Sequence, residues 1–201
     1  MTNKMAHREI NDRNIRNTET RDREEDKRLY FLHDLDKYKV ASEHPDVRGW
    51  KLVDSSHNEV GTIDNLLVDV KDEKVRYLDV ELDENILGED YDPQANPNVK
   101  GVHGFTNREG DKHLIVPIGL ARLDKDDHCV VVDEVRRETF QRAPRHRKGT
   151  PISADYEFAV SEALASPQAG MRQPADRPVG TAVPGEFYKR REFDETRFYN
   201  R

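Results

Sequence analysis

The sequence predicts a mainly β fold: a small antiparallel β-barrel with a short C-terminal helix and extended polar arms. Two observations support this prediction. The apolar residues are concentrated in the middle of the chain, where they form short runs with the two-residue period of strands. Only 34% of the 201 residues are hydrophobic and 36% are charged, which is too little apolar surface to order the whole chain in a packed core. We therefore expect one folded domain with long polar arms.

Residues 1–29 are predicted to form a charged N-terminal arm. They hold eight Lys or Arg and seven Asp or Glu residues, with few apolar side chains between them. This composition is typical of a solvated arm, either a frayed helix or a disordered segment. The chain start has no apolar region of a secretory signal, and no run reaches the length of a membrane span. We therefore expect a cytoplasmic protein without a membrane span.

The barrel is predicted between residues 30 and 135. Five apolar runs read as strands, and a sixth candidate precedes them: 50–54, 60–70, 75–82, 113–118 and 128–133, with 35–40 at the front. In the third run Leu78, Val80 and Leu82 define an apolar face, while the opposite face is mixed. The polar break at 71–74 indicates a hairpin. Five or six strands without crossover helices favour a barrel or sandwich, and closure would remove exposed edges.

An insertion of thirty residues, 83–112, interrupts the strands. Loops of this length are usually functional or disordered. Oxygen-bearing side chains at every second position resemble a calcium loop: Asp90, Asp92, Gln94, Asn96 and Asn98. The sixth and twelfth positions are Ala95 and Gly101, whereas an EF-hand needs glycine and an acid there. A solvated loop is the favoured interpretation, and we predict no metal ion and no cofactor.

Residues 136–165 are predicted to be a basic connector followed by a short amphipathic helix. Residues 136–150 carry six basic and one acidic side chain, whereas residues 46–133 have a net charge of −10. We expect the connector to lie against this acidic domain, whose charge disfavours nucleic acid as a partner. Ser153 is the predicted N-cap. The helix is expected to bury residues at helical spacing: Tyr156, Ala159, Val160, Ala163 and Leu164.

Residues 166–201 read as a Pro/Gly-rich linker and an aromatic tail. Five of the fourteen Phe and Tyr residues fall in thirteen positions of the tail: Phe187, Tyr188, Phe193, Phe198 and Tyr199. Exposed aromatic side chains are costly, so these residues are expected to pack against the barrel, a sister subunit or another protein. Intramolecular docking or a homo-oligomer is favoured. A linear motif that binds a partner protein is the alternative.

No catalytic constellation is evident from the sequence. Cys129, the single cysteine, follows His128, but neighbours on a strand face opposite sides, so we predict that Cys129 is a buried hydrophobe. The other histidines lack ligand spacing and are predicted to face solvent: His7, His33, His44, His57, His103, His113 and His146. Carboxylates such as Asp79 and Glu81 are interpreted as charges of an acidic face. We therefore predict no enzyme activity, no catalytic or metal site and no small-molecule substrate, with a metal-dependent or thiol enzyme as the least favoured alternative.

Three consecutive segments resemble a known family. Residues 46–54, 60–69 and 75–80 resemble the PRC-barrel in order, and residues 114–123 resemble its later strand pair. Gly49 and Gly61 within them are predicted at sites of positive φ or close backbone approach. The family includes the cytoplasmic domain of the photosynthetic reaction centre H subunit and the C-terminal domain of the ribosome maturation factor.

The resemblance implies a docking or assembly module without a shared catalytic constellation. We therefore expect a soluble, acidic interaction module that binds a partner protein or associates with itself as a homo-oligomer. The resemblance leaves two alternatives: a regulatory or assembly factor near membrane-bound photosynthetic or electron-transport complexes, and an RNA-metabolism factor like the ribosome-maturation relative.

Overall fold

The structure is a computed structural model that describes residues 28–87, 107, 110–165 and 185–199. Its strands are β1 Leu29–Phe31, β2 Lys51–Val53, β3 Glu59–Asp69, β4 Lys74–Leu82, β5 His113–Pro117, β6 Arg122–Asp124 and β7 Cys129–Val131. Its α-helices are α1 Glu84–Leu87, α2 Arg137–Arg142, α3 Ala154–Ala165 and α4 Thr196–Tyr199. Short 3-10 helices lie at Leu32–Asp34, Ile118–Leu120, Gly185–Lys189 and Arg191–Phe193. The mainly β class is therefore confirmed.

The strands form one seven-stranded sheet in the order β5-β4-β3-β2-β7-β6, with β1 paired to β3. Among the described residues β5 and β6 do not pair, so the closure predicted from sequence is not observed. The expectation of a purely antiparallel sheet is also wrong, because β2 and β7 run parallel, with Lys51 opposite Cys129 and Val53 opposite Val131. A local apolar pattern defines a strand but not its partner.

The first strand lies earlier than predicted. Residues 35–40 contain no strand, and β1 falls at the boundary of the predicted arm instead. Leu29 and Phe31 of β1 are buried and pair with the end of β3. Three residues are too few to give a readable two-residue period, which is why the sequence pattern missed this strand.

The β3–β4 hairpin confirms the predicted turn and both glycine positions. Asp69 pairs with Lys74 across it. A Cβ at Gly61 would lie 2.2 Å from the carbonyl oxygen of Glu81, so β3 and β4 meet there only because residue 61 has no side chain. Gly49, just before β2, has a φ of +83°.

The longest helix, α3, follows its predicted pattern. The Ser153 hydroxyl accepts a hydrogen bond from the backbone N–H of Tyr156 at 3.2 Å, as an N-cap does. The whole predicted stripe is buried: Tyr156, Ala159, Val160, Ala163 and Leu164. This helix packs beside β5 and so covers the sheet. Of the helices in the described ranges, none combines the length and apolar character needed to cross a bilayer.

Candidate functional site

The aromatic tail packs against the core of its own chain. We call residues 185–199 the C-terminal segment. Four of its five predicted interaction residues are buried in the main hydrophobic core, namely Phe187, Tyr188, Phe193 and Phe198, and Tyr199 is half-buried against the same core. The structure therefore contains the intramolecular docking that the sequence analysis favoured. Residues 166–184 of the predicted linker lie outside the described residues.

The backbone of the C-terminal segment packs closely against Gly119. A Cβ at Gly119 would lie 2.7 Å from the carbonyl oxygen of Arg191 and 2.8 Å from the backbone nitrogen of Asp194. The ring of Phe193 meets Tyr77 of β4 edge-on, with centroids 5.3 Å apart. Exposed ion pairs, including that between Arg197 and Glu134, surround these contacts and add little stability. Apolar packing therefore supplies most of the docking energy.

A buried carboxylate lies beneath the C-terminal segment. Oε2 of Glu157, on α3, accepts hydrogen bonds from the hydroxyl groups of Tyr77 at 3.0 Å and Tyr188 at 2.5 Å. The residue is 5% exposed. Burial raises the pKa of Glu157 to about 7, although both hydroxyl groups favour the ionised form. One carboxyl group thus joins the sheet, α3 and the C-terminal segment.

Two arginines and an aspartate flank this carboxylate. The guanidinium groups of Arg76 and Arg28 lie 4.8 and 5.3 Å from the ring centroid of Tyr188, within cation–π range. Both also bond to the buried carboxylate of Asp69, with Arg28 Nη2 2.5 Å from Oδ2. Burial favours neutral Asp69, but the hydrogen bonds and charge of Arg28, with the hydrogen bonds from the Lys71 backbone and Arg76, together outweigh it and lower the pKa of Asp69. Asp72 also accepts hydrogen bonds from both arginines, so the two positive charges beside the C-terminal segment are balanced by two aspartates.

A second buried cluster holds Asp79 between two histidines. Oδ1 of Asp79, in the middle of β4, lies 3.2 Å from Nδ1 of His113 and 3.1 Å from Nε2 of His146. The three residues are 2%, 3% and 8% exposed, respectively. Burial favours the neutral acid, yet the two imidazoles lower the pKa of Asp79. The cluster therefore joins β4, β5 and the basic connector.

Backbone contacts fix the two histidines side by side. His113, the first residue of β5, and His146 form an antiparallel bridge, with reciprocal N–H···O distances of 3.0 and 2.8 Å. The Tyr156 hydroxyl donates to the carbonyl oxygen of Pro144 at 3.0 Å, which holds the connector against α3. Lys148 reaches Asp64 on β3 at 2.7 Å. These contacts agree with the expectation that the connector lies against the acidic domain.

The prediction that every histidine faces solvent is wrong for His113 and His146. Asp79 is likewise not part of an exposed acidic face, because both faces of β4 are buried at this point. The three residues are far apart in sequence, so their spacing gave no signal. The sequence feature that could have indicated this cluster is the carboxylate of Asp79 inside an apolar strand, because a buried carboxylate needs buried partners. His7, His103 and the calcium-like residues 90–98 lie outside the described residues.

Cys129 and His128 lie at the boundary between β7 and the turn before it. Cys129 is buried at the start of β7, and burial raises the pKa of its thiol, as predicted for a small hydrophobe. His128 lies in the turn before the strand, with a φ of 50°, and its ring packs against Trp50 at a centroid distance of 5.2 Å. His128 therefore lies in a turn and not on the strand from which the separation of the two side chains was predicted.

A cavity of about 400 Å³ with a mixed lining, which includes the charged residues Lys39, Glu73, Lys74 and Glu195, lies between the N-terminal part of the domain and the C-terminal segment. The other residues that line it are mostly aliphatic and aromatic, and include Leu32, Tyr38, Val40, Val68, Ile118 and Tyr199. The ring of His44 stacks on Tyr199 with centroids 3.7 Å apart. The C-terminal segment therefore forms one wall of a partly open groove.

Comparison with known proteins identifies the family of the strand-bearing region. A model of the PRC-barrel domain matches residues 39–138, which contain β2 to β7. No curated protein matches the chain. The order of strand segments noted in the sequence and the sheet built from them agree with this match. The chain therefore carries a PRC-barrel domain, in residues 39–138.

Proposed function

We propose that this PRC-barrel protein is a non-enzymatic assembly module that associates with itself by exchange of its C-terminal segment. The observation that carries the proposal is that four aromatic side chains of the C-terminal segment are buried in the core, namely Phe187, Tyr188, Phe193 and Phe198. This segment follows a long Pro/Gly-rich stretch. A docked segment of this kind fits the same site on a second copy equally well, because every contact is preserved when copies exchange identical elements.

The length of the linker supports exchange between copies. Residues 166–184, fully extended, span at most about 68 Å. A domain of this size has a radius of gyration of about 16 Å. The linker is thus long enough for the segment to reach either its own domain or a neighbouring one. At high local concentration, exchange replaces each internal contact with an identical contact between copies.

The two titratable clusters support a non-catalytic role. Both Asp79 and Glu157 are almost fully buried, and their partners lie within the fold. A catalytic carboxylate must come within hydrogen-bond reach of a substrate. The ion pair between Lys148 and Asp64 also engages one positive charge of the basic connector. Less positive charge in the connector is then available to bind the phosphate groups of a nucleic acid.

Copies with two different affinity tags test this proposal. After separate purification and joint incubation, the copies are expected to co-purify, and light scattering coupled to size exclusion is expected to detect a dimer. Gly119→Ala should abolish both results, because its Cβ would collide with the backbone of Arg191. Lys189→Ala is the matched control. This side chain of the same segment is exposed, and its described salt bridge is with Glu186 within the segment.

Two outcomes would contradict the proposal. One is a monomer at all concentrations, with no co-purification, which would make the C-terminal segment an internal brace. The other is a dimer that persists in Gly119→Ala, which would place the interface elsewhere on the domain. Circular dichroism of each variant confirms that the sheet remains folded.

A further inference from the structure

His146 faces Asp79 through one ring nitrogen and a backbone carbonyl group through the other. Nδ1 of His146 lies 3.1 Å from the carbonyl oxygen of Arg147, which can only accept, so the tautomer that makes this hydrogen bond carries its hydrogen on Nδ1. In a neutral imidazole Nε2 then has a lone pair, and it faces Oδ1 of Asp79 at 3.1 Å. Two lone pairs at this distance repel each other. A proton or a metal ion between them removes the repulsion.

The third donor of the cluster provides the geometry of a metal site. Nδ1 of His113 lies 3.2 Å from the same carboxylate oxygen, and the three donor atoms all lie within 4.8 Å of one another. In a tetrahedral zinc site with bonds of about 2.0–2.1 Å, neighbouring donor atoms are about 3.3 Å apart. The two distances to Oδ1 therefore match the edges of such a tetrahedron.

We infer that Asp79, His113 and His146 bind a divalent transition-metal ion of the zinc class. Two imidazole nitrogens and a carboxylate oxygen are the donor types that such ions prefer. The second oxygen of Asp79 or a water molecule completes the coordination. The Arg147 carbonyl, by accepting from His146 Nδ1, orients the ring and fixes the tautomer that a ligand needs.

The surroundings assign this ion a structural role. The ring of Tyr156 meets His146 edge-on at a centroid distance of 5.4 Å, and Phe31 lies on another side at 6.4 Å. The three ligands come from β4, β5 and the connector, and all three are buried. Bound metal therefore links segments distant in sequence and stabilises the folded state by mass action.

Metal content and thermal unfolding of the full chain test the inference. After removal of metal with a chelator and addition of Zn²⁺, we expect one ion per chain by mass spectrometry. Tm should rise by about 5–10 °C at a free Zn²⁺ concentration near 100 times Kd. Asp79→Asn and His146→Gln should lose both effects. His57→Asn is the matched control, since this exposed histidine has a positive φ that Asn tolerates.

If the variants fail to fold, binding of Co²⁺ to the unmodified chain tests the inference without them. In the unmodified chain Co²⁺ should give the visible d–d absorption bands of a tetrahedral site, and excess Zn²⁺ should displace it. Absence of bound metal, of a Tm shift and of these bands would overturn the inference and leave an imidazolium–carboxylate pair. Equal Zn²⁺ binding by folded His146→Gln would also overturn it, because the ion would then occupy another site.

Discussion

Asp79 and Glu157 are both buried carboxylates that contact two side chains each, yet their pKa values are displaced in opposite directions. The pKa of Asp79 is lowered, whereas that of Glu157 is raised to about 7. Burial favours the neutral acid in both. The partners differ: imidazoles can carry positive charge, and the phenols of Tyr77 and Tyr188 remain neutral. The charge available to the partner, more than burial, decides whether a buried carboxylate is ionised.

The two carboxylates also fasten different parts of the molecule. Asp79 joins the sheet to the basic connector through a charged contact, and Glu157 joins it to the C-terminal segment through hydroxyl groups. The first contact keeps Asp79 ionised, since its partners lower the pKa of this carboxyl group. When Glu157 loses its proton, the second contact buries a negative charge, which lowers the stability of the fold although both hydroxyl groups favour the ionised form. Substitutions of Asp79 and of Glu157 measure separately how each contact contributes to stability and how that contribution depends on pH.

The largest effect is expected from Asp79→Ala. Removing this carboxylate leaves His113 and His146 without their buried partner, and breaking a buried charged contact costs about 3–5 kcal/mol. Urea denaturation at pH 7 measures the change. Asp64→Ala, which breaks the exposed contact with Lys148, is the control and should cost no more than about 1 kcal/mol. Equal losses in the two variants would refute the buried charged contact.

An intermediate effect is expected for Glu157, and it depends on pH. The pKa of this carboxyl group rises from its ordinary value of 4.5 in the unfolded chain to about 7 in the folded chain. Below pH 4.5 the group is neutral in both states. Between pH 4.5 and 7 the unfolded chain ionises first, so stability falls as pH rises, by about 3 kcal/mol in total. Tyr77, Tyr188, Asp69 and Arg28 are the groups that influence this titration.

Glu157→Gln isolates this dependence. The neutral amide keeps an oxygen that accepts from both hydroxyl groups but does not ionise. The difference in unfolding free energy between the variant and the original chain should therefore grow in favour of the variant from pH 5 to pH 8. Glu162→Gln, on the same helix, serves as the reference. A difference that is constant over this range would contradict a raised pKa.

The smallest effect is expected from Tyr188→Phe. The substitution keeps the ring beneath Arg76 but removes the hydrogen bond to Glu157, at a cost of about 1–2 kcal/mol. That bond lowers the pKa of Glu157, so its loss should move the pH dependence upward. Unfolding curves at several pH values measure both changes. Tyr199→Phe, in the same segment, should leave the midpoint of the pH dependence unchanged.

The elements that could be predicted from sequence are those with enough residues to show a period. The strands β3 and β4 show apolar alternation, and α3 shows a stripe from Tyr156 to Leu164, so local pattern identified all three. β1 has only three residues and was missed. The parallel pairing of β2 with β7 was missed for a different reason, since apolar periodicity does not say which strand lies alongside.

The candidate sites were harder to predict because their residues are distant in sequence. The aromatic composition of residues 185–199 correctly indicated burial, but not that Tyr188 meets Glu157 beneath it. His113 and His146 were interpreted as exposed because the histidines show no ligand spacing along the chain. Only the register of β4 with β5 and the bridge to the connector bring the three together.

The parallel pairing of β2 with β7 has a consequence for the order of folding. Residues 51–53 cannot gain their second neighbouring strand until residues 129–131 arrive, so a long loop must close first. Such distant pairings slow folding because the entropy of closure is lost before the contacts form. During synthesis, β2 therefore presents an unpaired edge that neighbouring nascent chains can occupy, until β7 has left the ribosome.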